Sequence, residues 1–97
     1  MMGNSDTIIL DVRAPQDWKG SDRKITGAVR EDPRNEITAW MDKYPRDKTI
    51  VLYCAWADEA TSARVAQKLI ANGYKKVYAL KGGWNEWYDA KYPVEPK

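Results

Sequence analysis

Residues 49–73, TIVLYCAWADEATSARVAQKLIANG, place a strand, a cysteine and a helix in immediate succession. Thr49 to Tyr53 are β-branched, aliphatic or aromatic, the side chains that pack best on a pleated surface. Cys54 comes next and is the only cysteine in the chain. After seven residues, Ala55 to Thr61, the residues Val65, Ala66, Leu69 and Ile70 recur at helical spacing, and Gly73 stands where a helix commonly ends on a left-handed residue. A strand, a short loop and a helix N-terminus expose one reactive atom at the edge of a sheet. The loop's N–H groups and the positive end of the helix favour negative charge there. For a thiol this favours the thiolate, the nucleophilic form. Backbone amides of residues 55–61 are expected to curve around the Cys54 sulfur, which requires no side-chain base.

Composition narrows the chemistry. Ninety-seven residues make one domain, and 43% apolar with 31% charged residues is ordinary for a globular protein. With no histidine and one cysteine, metal-ligand clusters, disulfide frameworks and every mechanism built on a histidine base are excluded, and no cofactor is expected. The net charge of +2 gives no argument for nucleic acid or a membrane surface as partner. No run approaches the ~20 apolar residues of a membrane helix. The N-terminus has no signal-peptide core, so the cytoplasm is the expected compartment.

Working outward, Thr7 to Val12 is a near-continuous apolar run, which suits a strand covered on both faces. Pro15 to Trp18 reads as one helical turn closed by Gly20, and Ile25 to Val29 as a short strand. Ile37, Trp40, Met41 and Tyr44 fall at i, i+3, i+4 and i+7 behind Asn35 as N-cap, which predicts an amphipathic helix stopped by Pro45. Lys76 to Leu80 alternates as a strand, Gly82-Gly83 marks a turn, and Trp84, Trp87 and Tyr88 share a helical face. Strands alternating with helices predict an α/β domain with a mainly parallel sheet of about five short strands flanked by helices on both faces.

The ordered set Asp11-Val12-Arg13, Ile25-Thr26-Gly27-Ala28, Tyr53-Cys54, Gly73-Tyr74 and Leu80-Lys81-Gly82-Gly83-Trp84 followed by Trp87 resembles a single rhodanese domain, from Ile8 to Pro96. The resemblance implies a sulfurtransferase. Cys54 would take sulfane sulfur from a small donor, hold it as a persulfide, and pass it to a thiol or protein acceptor. Residues 1–97 would form one such domain, lacking the family's first strand and helix, and would be a monomer or a domain of a larger protein. In that frame Ala55, Trp56, Ala57, Asp58, Glu59, Ala60, Thr61 and Ser62 form the substrate loop. Ser62 resembles the family's loop-closing hydroxyl, Asp11 and Arg13 brace the loop, and Arg64 is the nearest cation unless helical spacing turns it outward. Trp56 either walls the pocket or packs over the loop.

Three departures bear on that reading. Lys24 stands where the family commonly has histidine, the loop is long for a sulfurtransferase, and Asp58 and Glu59 occupy positions that are commonly basic or neutral. Carboxylates beside the thiol repel anions such as thiosulfate and cyanide. A phosphatase of the same fold would close its loop with arginine, but Ala60 and Thr61 stand at that place. A non-catalytic interaction module is the competing reading.

Overall fold

The computed structural model describes residues 7–55, 61–80 and 83–97. Its centre is a four-stranded, wholly parallel sheet made of β1 (Thr7–Asp11), β3 (Val29–Arg30), β4 (Thr49–Tyr53) and β5 (Lys76–Ala79), in the order β3-β1-β4-β5. β1 and β4 are the inner strands, paired from Thr7↔Thr49 to Asp11↔Tyr53. The remaining strands, β2 (Arg23–Ile25) and β6 (Val94–Pro96), form a separate antiparallel pair. The expected strand at 25–29 is therefore two elements. Gly27, at φ +83, turns the chain between them, and the turn puts β2 and β3 in different sheets.

Strand alternation divides the core into two layers. Leu10 and Val12 from the β1 segment and Ile50 and Leu52 from β4 face helix α2 (Thr61–Ala71), where Val65, Ala66 and Leu69 are buried. Ile9 and Tyr53 face the other way, toward Ile25, Ala28, Trp84 and Val94. Both faces are covered, which is why β1 reads as a nearly unbroken apolar run. Burial of each large apolar side chain supplies about 1.5–3 kcal/mol. Ile70 does not join the α2 stripe as expected; it is exposed. The stripe runs through Ser62 instead, at the i, i+3, i+7 positions of Val65 and Leu69.

α2 ends in the cap that Gly73 predicts. Gly73 sits at φ +97, its N–H bonds the Ile70 carbonyl at 3.1 Å, and the Tyr74 N–H bonds that of Leu69 at 3.1 Å. The expected helix before Pro45 is instead two 3-10 turns, Ile37–Ala39 and Met41–Lys43, interrupted at Trp40 with φ −134. The apolar stripe is nonetheless buried as predicted, since a spacing of three residues serves either geometry. Asn35 does not cap it; Glu36 holds that place and makes no side-chain cap bond. Pro45 has no N–H to offer the Met41 carbonyl, as an α-helix would require. The buried Tyr74 hydroxyl lies 2.5 Å from that carbonyl and 2.7 Å from the Tyr44 carbonyl, with one proton to donate between them.

Helices α1 (Pro15–Lys19) and α3 (Gly83–Asp89) complete the described chain. α1 starts on Pro15 and closes at Gly20 as its turn chemistry predicts.

Candidate active site

Parallel strands deliver their C-terminal ends to one edge, and that edge is where α/β domains commonly bind ligands. β1 delivers Asp11 and Arg13 there, and β4 delivers Cys54. The Val12 N–H bonds the Tyr53 carbonyl at 2.9 Å, so the two strands remain in register up to the cysteine. Cys54 lies on the α2 side of the sheet, and its Sγ is 3.4 Å from Oγ of the buried Ser62 in the first turn of that helix. The sulfur therefore has a hydroxyl and a helix N-terminus beside it, although Cys54 is only 2% exposed.

The start of the loop is held from the opposite side. The N–H groups of Trp84 and Asn85, in the first turn of α3, donate to the carbonyls of Cys54 at 2.7 Å and Ala55 at 3.0 Å. Gly83 makes this approach possible. It adopts φ +61, and a Cβ there would lie 2.5 Å from the Cys54 carbonyl oxygen. Ala55 is buried, and Thr61 opens α2 half-buried. Trp56, Ala57, Asp58, Glu59 and Ala60, with most of the predicted cradle of amides, lie outside the described residues.

Asp11 and Arg13 are both fully buried and form one unit. The Arg13 backbone N–H donates to Asp11 Oδ1 at 3.0 Å, Nε donates to Oδ2 at 2.9 Å, and Nη2 approaches Oδ2 at 2.7 Å. Burying two charges is costly, and full hydrogen bonding with good geometry is what offsets the cost. The Tyr53 hydroxyl donates to Asp11 Oδ2 at 2.7 Å and accepts the Ile25 N–H at 3.2 Å. Burial first, and then the Asp11 charge, push the Tyr53 phenol above its ordinary pKa, so it remains a donor. Arg13 Nη2 donates to the Arg23 carbonyl at 2.9 Å, which ties β2 to the edge. Its guanidinium lies 4.5 Å from the Trp84 ring centroid and 5.3 Å from that of Trp18. Arg30 closes the network from β3: its Nη1 donates to the Arg13 carbonyl at 2.6 Å, and desolvation lowers its pKa from the ordinary value.

The structure thus brings together Cys54, Ala55 and Ser62 in one group and Asp11 and Arg13 in another, joined through Tyr53 and Trp84. Arg64, expected as the nearest cation, is exposed on α2 and is not part of either group; the spacing 62-65-69 that buries Ser62 turns position 64 outward. Arg30, Trp84 and Asn85 were not anticipated as site residues. Trp84 and Asn85 directly follow the Gly82-Gly83 pair in the sequence, and that adjacency was the available signal. No group of three or more potential metal-ligating side chains occurs among the described residues. Among the same residues, no helix is long and apolar enough to cross a membrane.

Comparison with known proteins agrees with this architecture. The family description "Rhodanese-like domain" matches residues 1–90. The chain is 35% identical over 79 residues to the uncharacterized protein YqhL of Bacillus subtilis, covering 81% of this chain and 59% of that protein. It is 27% identical over 95 residues to thiosulfate sulfurtransferase GlpE of Glaesserella parasuis, covering 98% and 83% of the two chains. Among solved structures, the Rhodanese_3-like domain of the Anabaena protein Alr3790 superposes with a TM-score of 0.76 at 25% identity, covering 92% of this chain and 98% of that one. With its cysteine at the end of an inner parallel strand and its Asp-Val-Arg unit beside it, the chain belongs to the rhodanese-like domain family.

Proposed function

We propose that this domain is a sulfurtransferase that carries sulfane sulfur as a persulfide on Cys54. The observation that carries the reading is the placement of Cys54 at the C-terminal end of β4, with its sulfur 3.4 Å from Ser62 Oγ in the first turn of α2. The Ser62 hydroxyl is positioned to donate to a thiolate, and the N-terminus of α2 favours the same charge.

In the first half-reaction, the Cys54 thiolate attacks the sulfane sulfur of the donor. The new S–S bond forms as the donor's bond to that sulfur breaks, and the bonding pair leaves with the remainder, as sulfite if the donor is thiosulfate. In the second, an acceptor thiolate attacks the outer sulfur, the Cys54 S–S bond breaks, and its pair returns to Cys54 Sγ. Electrons balance without a cofactor. Asp58 and Glu59 weigh against anionic donors such as thiosulfate. The work would be cytoplasmic, and residues 1–97 would act as one domain.

Incubation with polysulfide is expected to add the mass of one sulfur atom to the protein, and Cys54→Ser is expected to abolish the adduct. A wild-type protein that takes up no sulfur from any of several donors sinks this reading. The 2% exposure of Cys54 favours one competitor, a non-catalytic binding module. Alkylation separates the two: a module's Cys54 should react slowly with iodoacetamide at neutral pH, and a sulfurtransferase's quickly.

A further inference from the structure

A cleft of about 540 Å³ runs along α3 to its C-terminal end, lined by Leu80, Glu86, Trp87, Asp89, Ala90 and Tyr92 among others. Two of its walls are aromatic. The Trp87 and Tyr92 ring centroids are 4.9 Å apart with 61° between the planes, so the rings form a corner rather than a stack. The end of α3 builds this corner. The Lys91 N–H bonds the Tyr88 carbonyl at 3.0 Å and the Tyr92 N–H bonds that of Trp87 at 3.3 Å, the bond pair of a Schellman cap. Such a cap favours glycine at its left-handed position. Here Lys91 takes it at φ +61, the one non-glycine residue at positive φ among the described residues. An apolar contact commonly spans the cap. In this chain both partners are aromatic and neither is sealed: Tyr92 is 55% exposed and Trp87 is half-buried. The Trp87 indole is also fixed at its edge, where Nε1 donates to the Pro93 carbonyl at 2.9 Å.

Charge selects the kind of ligand. Glu86 and Asp89 in the lining are exposed, and neither makes an ion pair among the described residues. Lys91 lines a neighbouring cleft that shares Asp89 and Tyr92, and does not line this one. The faces of tryptophan and tyrosine attract cations, and the two carboxylates add to that attraction. Leu80 and Ala90 contribute apolar surface. A compact, strongly hydrated ammonium gains little from such a wall, whereas a cation that spreads its charge over methyl groups loses little water there. We propose that this cleft binds an alkylated ammonium of the trimethylammonium class. The cation occupies the Trp87–Tyr92 corner, its methyl groups meet Leu80 and Ala90, and Glu86 and Asp89 supply the counter-charge. The binding involves no bond to Cys54 and stands apart from the sulfurtransferase reading.

The test titrates the full chain with choline, following the Trp87 indole N–H by NMR. Two matched probes run beside it: 3,3-dimethyl-1-butanol, which has the shape of choline without the charge, and ethanolamine, which has the charge without the methyl groups. Choline is expected to give a saturable shift and to bind roughly fivefold more tightly than either probe, the scale of a cation–π contact at a partly exposed site. Tyr92→Leu keeps apolar bulk and removes one ring, so it should weaken choline by about the same factor and leave the neutral probe unchanged. Glu86→Gln, at an exposed position without an ion-pair partner, leaves the fold intact and should weaken choline about twofold. It decides the matter if Tyr92→Leu fails to fold. Absence of a saturable shift with choline overturns the proposal. So does equal affinity for the neutral probe, which makes the cleft merely apolar, or for ethanolamine, which makes the carboxylates sufficient. Choline affinity unchanged in the folded variants places any binding elsewhere and overturns it as well.

Discussion

The chain builds the same Asp-x-Arg unit twice, once buried and once exposed. In Asp11-Val12-Arg13 the arginine's backbone N–H meets Oδ1 at 3.0 Å and Nη2 meets Oδ2 at 2.7 Å; in Asp32-Pro33-Arg34 the same contacts measure 2.9 and 2.8 Å. The surroundings differ completely. Asp11 and Arg13 are sealed in, with Tyr53, Arg30 and the Arg23 carbonyl attached to them, whereas the Arg34 side chain is 70% exposed. The pair teaches that local geometry alone does not set the value of an ion pair. Water reaches the Arg34 end of the pair freely and Asp32 in part, so making or breaking the pair there changes little. At Asp11 no water can replace a lost partner, so the unit acts as a fixed joint between β1, β2, β3 and β4 beneath the cysteine loop.

Breaking the buried copy should have the largest effect. Asp11→Ala leaves the Arg13 charge uncompensated and the Tyr53 hydroxyl without its acceptor, and an expected loss of about 3–5 kcal/mol in denaturant unfolding follows. That is a large part of what a small domain has, so Asp11→Asn, which retains an acceptor, serves as the milder variant. If Asp11→Ala unfolds within error of wild type, the joint is not structural and the contrast with Asp32 collapses.

Tyr53→Phe sharpens the comparison by removing a partner for which the exposed copy has no counterpart. The ring can stay stacked near Trp84, at 6.3 Å between centroids, while Asp11 Oδ2 loses a donor and the Ile25 N–H an acceptor. A cost of about 1–3 kcal/mol is expected from the unsatisfied groups. Because the Ile25 bond ties β2 to the edge, hydrogen exchange at the Ile25 amide should rise more than at Leu52 in the inner strand. Equal increases at both amides would mean that the loss is global and that the hydroxyl does not act as a local tie.

What was legible in the chain follows the same division between local pattern and surroundings. The β4-cysteine-α2 succession, the Gly73 cap and the core stripe from Ile37 to Tyr44 are short-range patterns, and each is present. The failures are places where distant groups decide. The stripe forms 3-10 turns, where Pro45 removes a donor and Tyr74, some thirty residues on, takes its place. Gly27 splits one apolar run into strands of two different sheets, and β6 pairs with β2 across most of the chain. At the site, Asp11, Arg13 and Ser62 were visible as residues, but the role of Arg30 depends on packing that no spacing reveals, and those of Trp84 and Asn85 are signalled only by their place after Gly82-Gly83. Nothing in the segment itself distinguishes the buried Asp-x-Arg from the exposed one beyond the apolar run preceding Asp11.

The exposed copy supplies the smallest effect, and its pH dependence gives it a sign. The hydrogen bond from the Arg34 side chain, followed by that from its backbone, holds the Asp32 carboxyl down to about 2, from an ordinary value of 3.8. The folded state therefore releases the proton more readily than the unfolded chain. Any stabilisation from this pair is complete above pH 3.8 and disappears as the pH falls through about 2. Asp32→Asn should leave the unfolding midpoint at pH 7 within experimental error, since an exposed pair is screened and contributes little. Between pH 4 and pH 2 the variant should lose slightly less stability than wild type. A midpoint shift at pH 7 as large as that of Asp11→Asn would mean that burial is not what separates the two copies, because the one feature they share, the bidentate geometry, would then account for both.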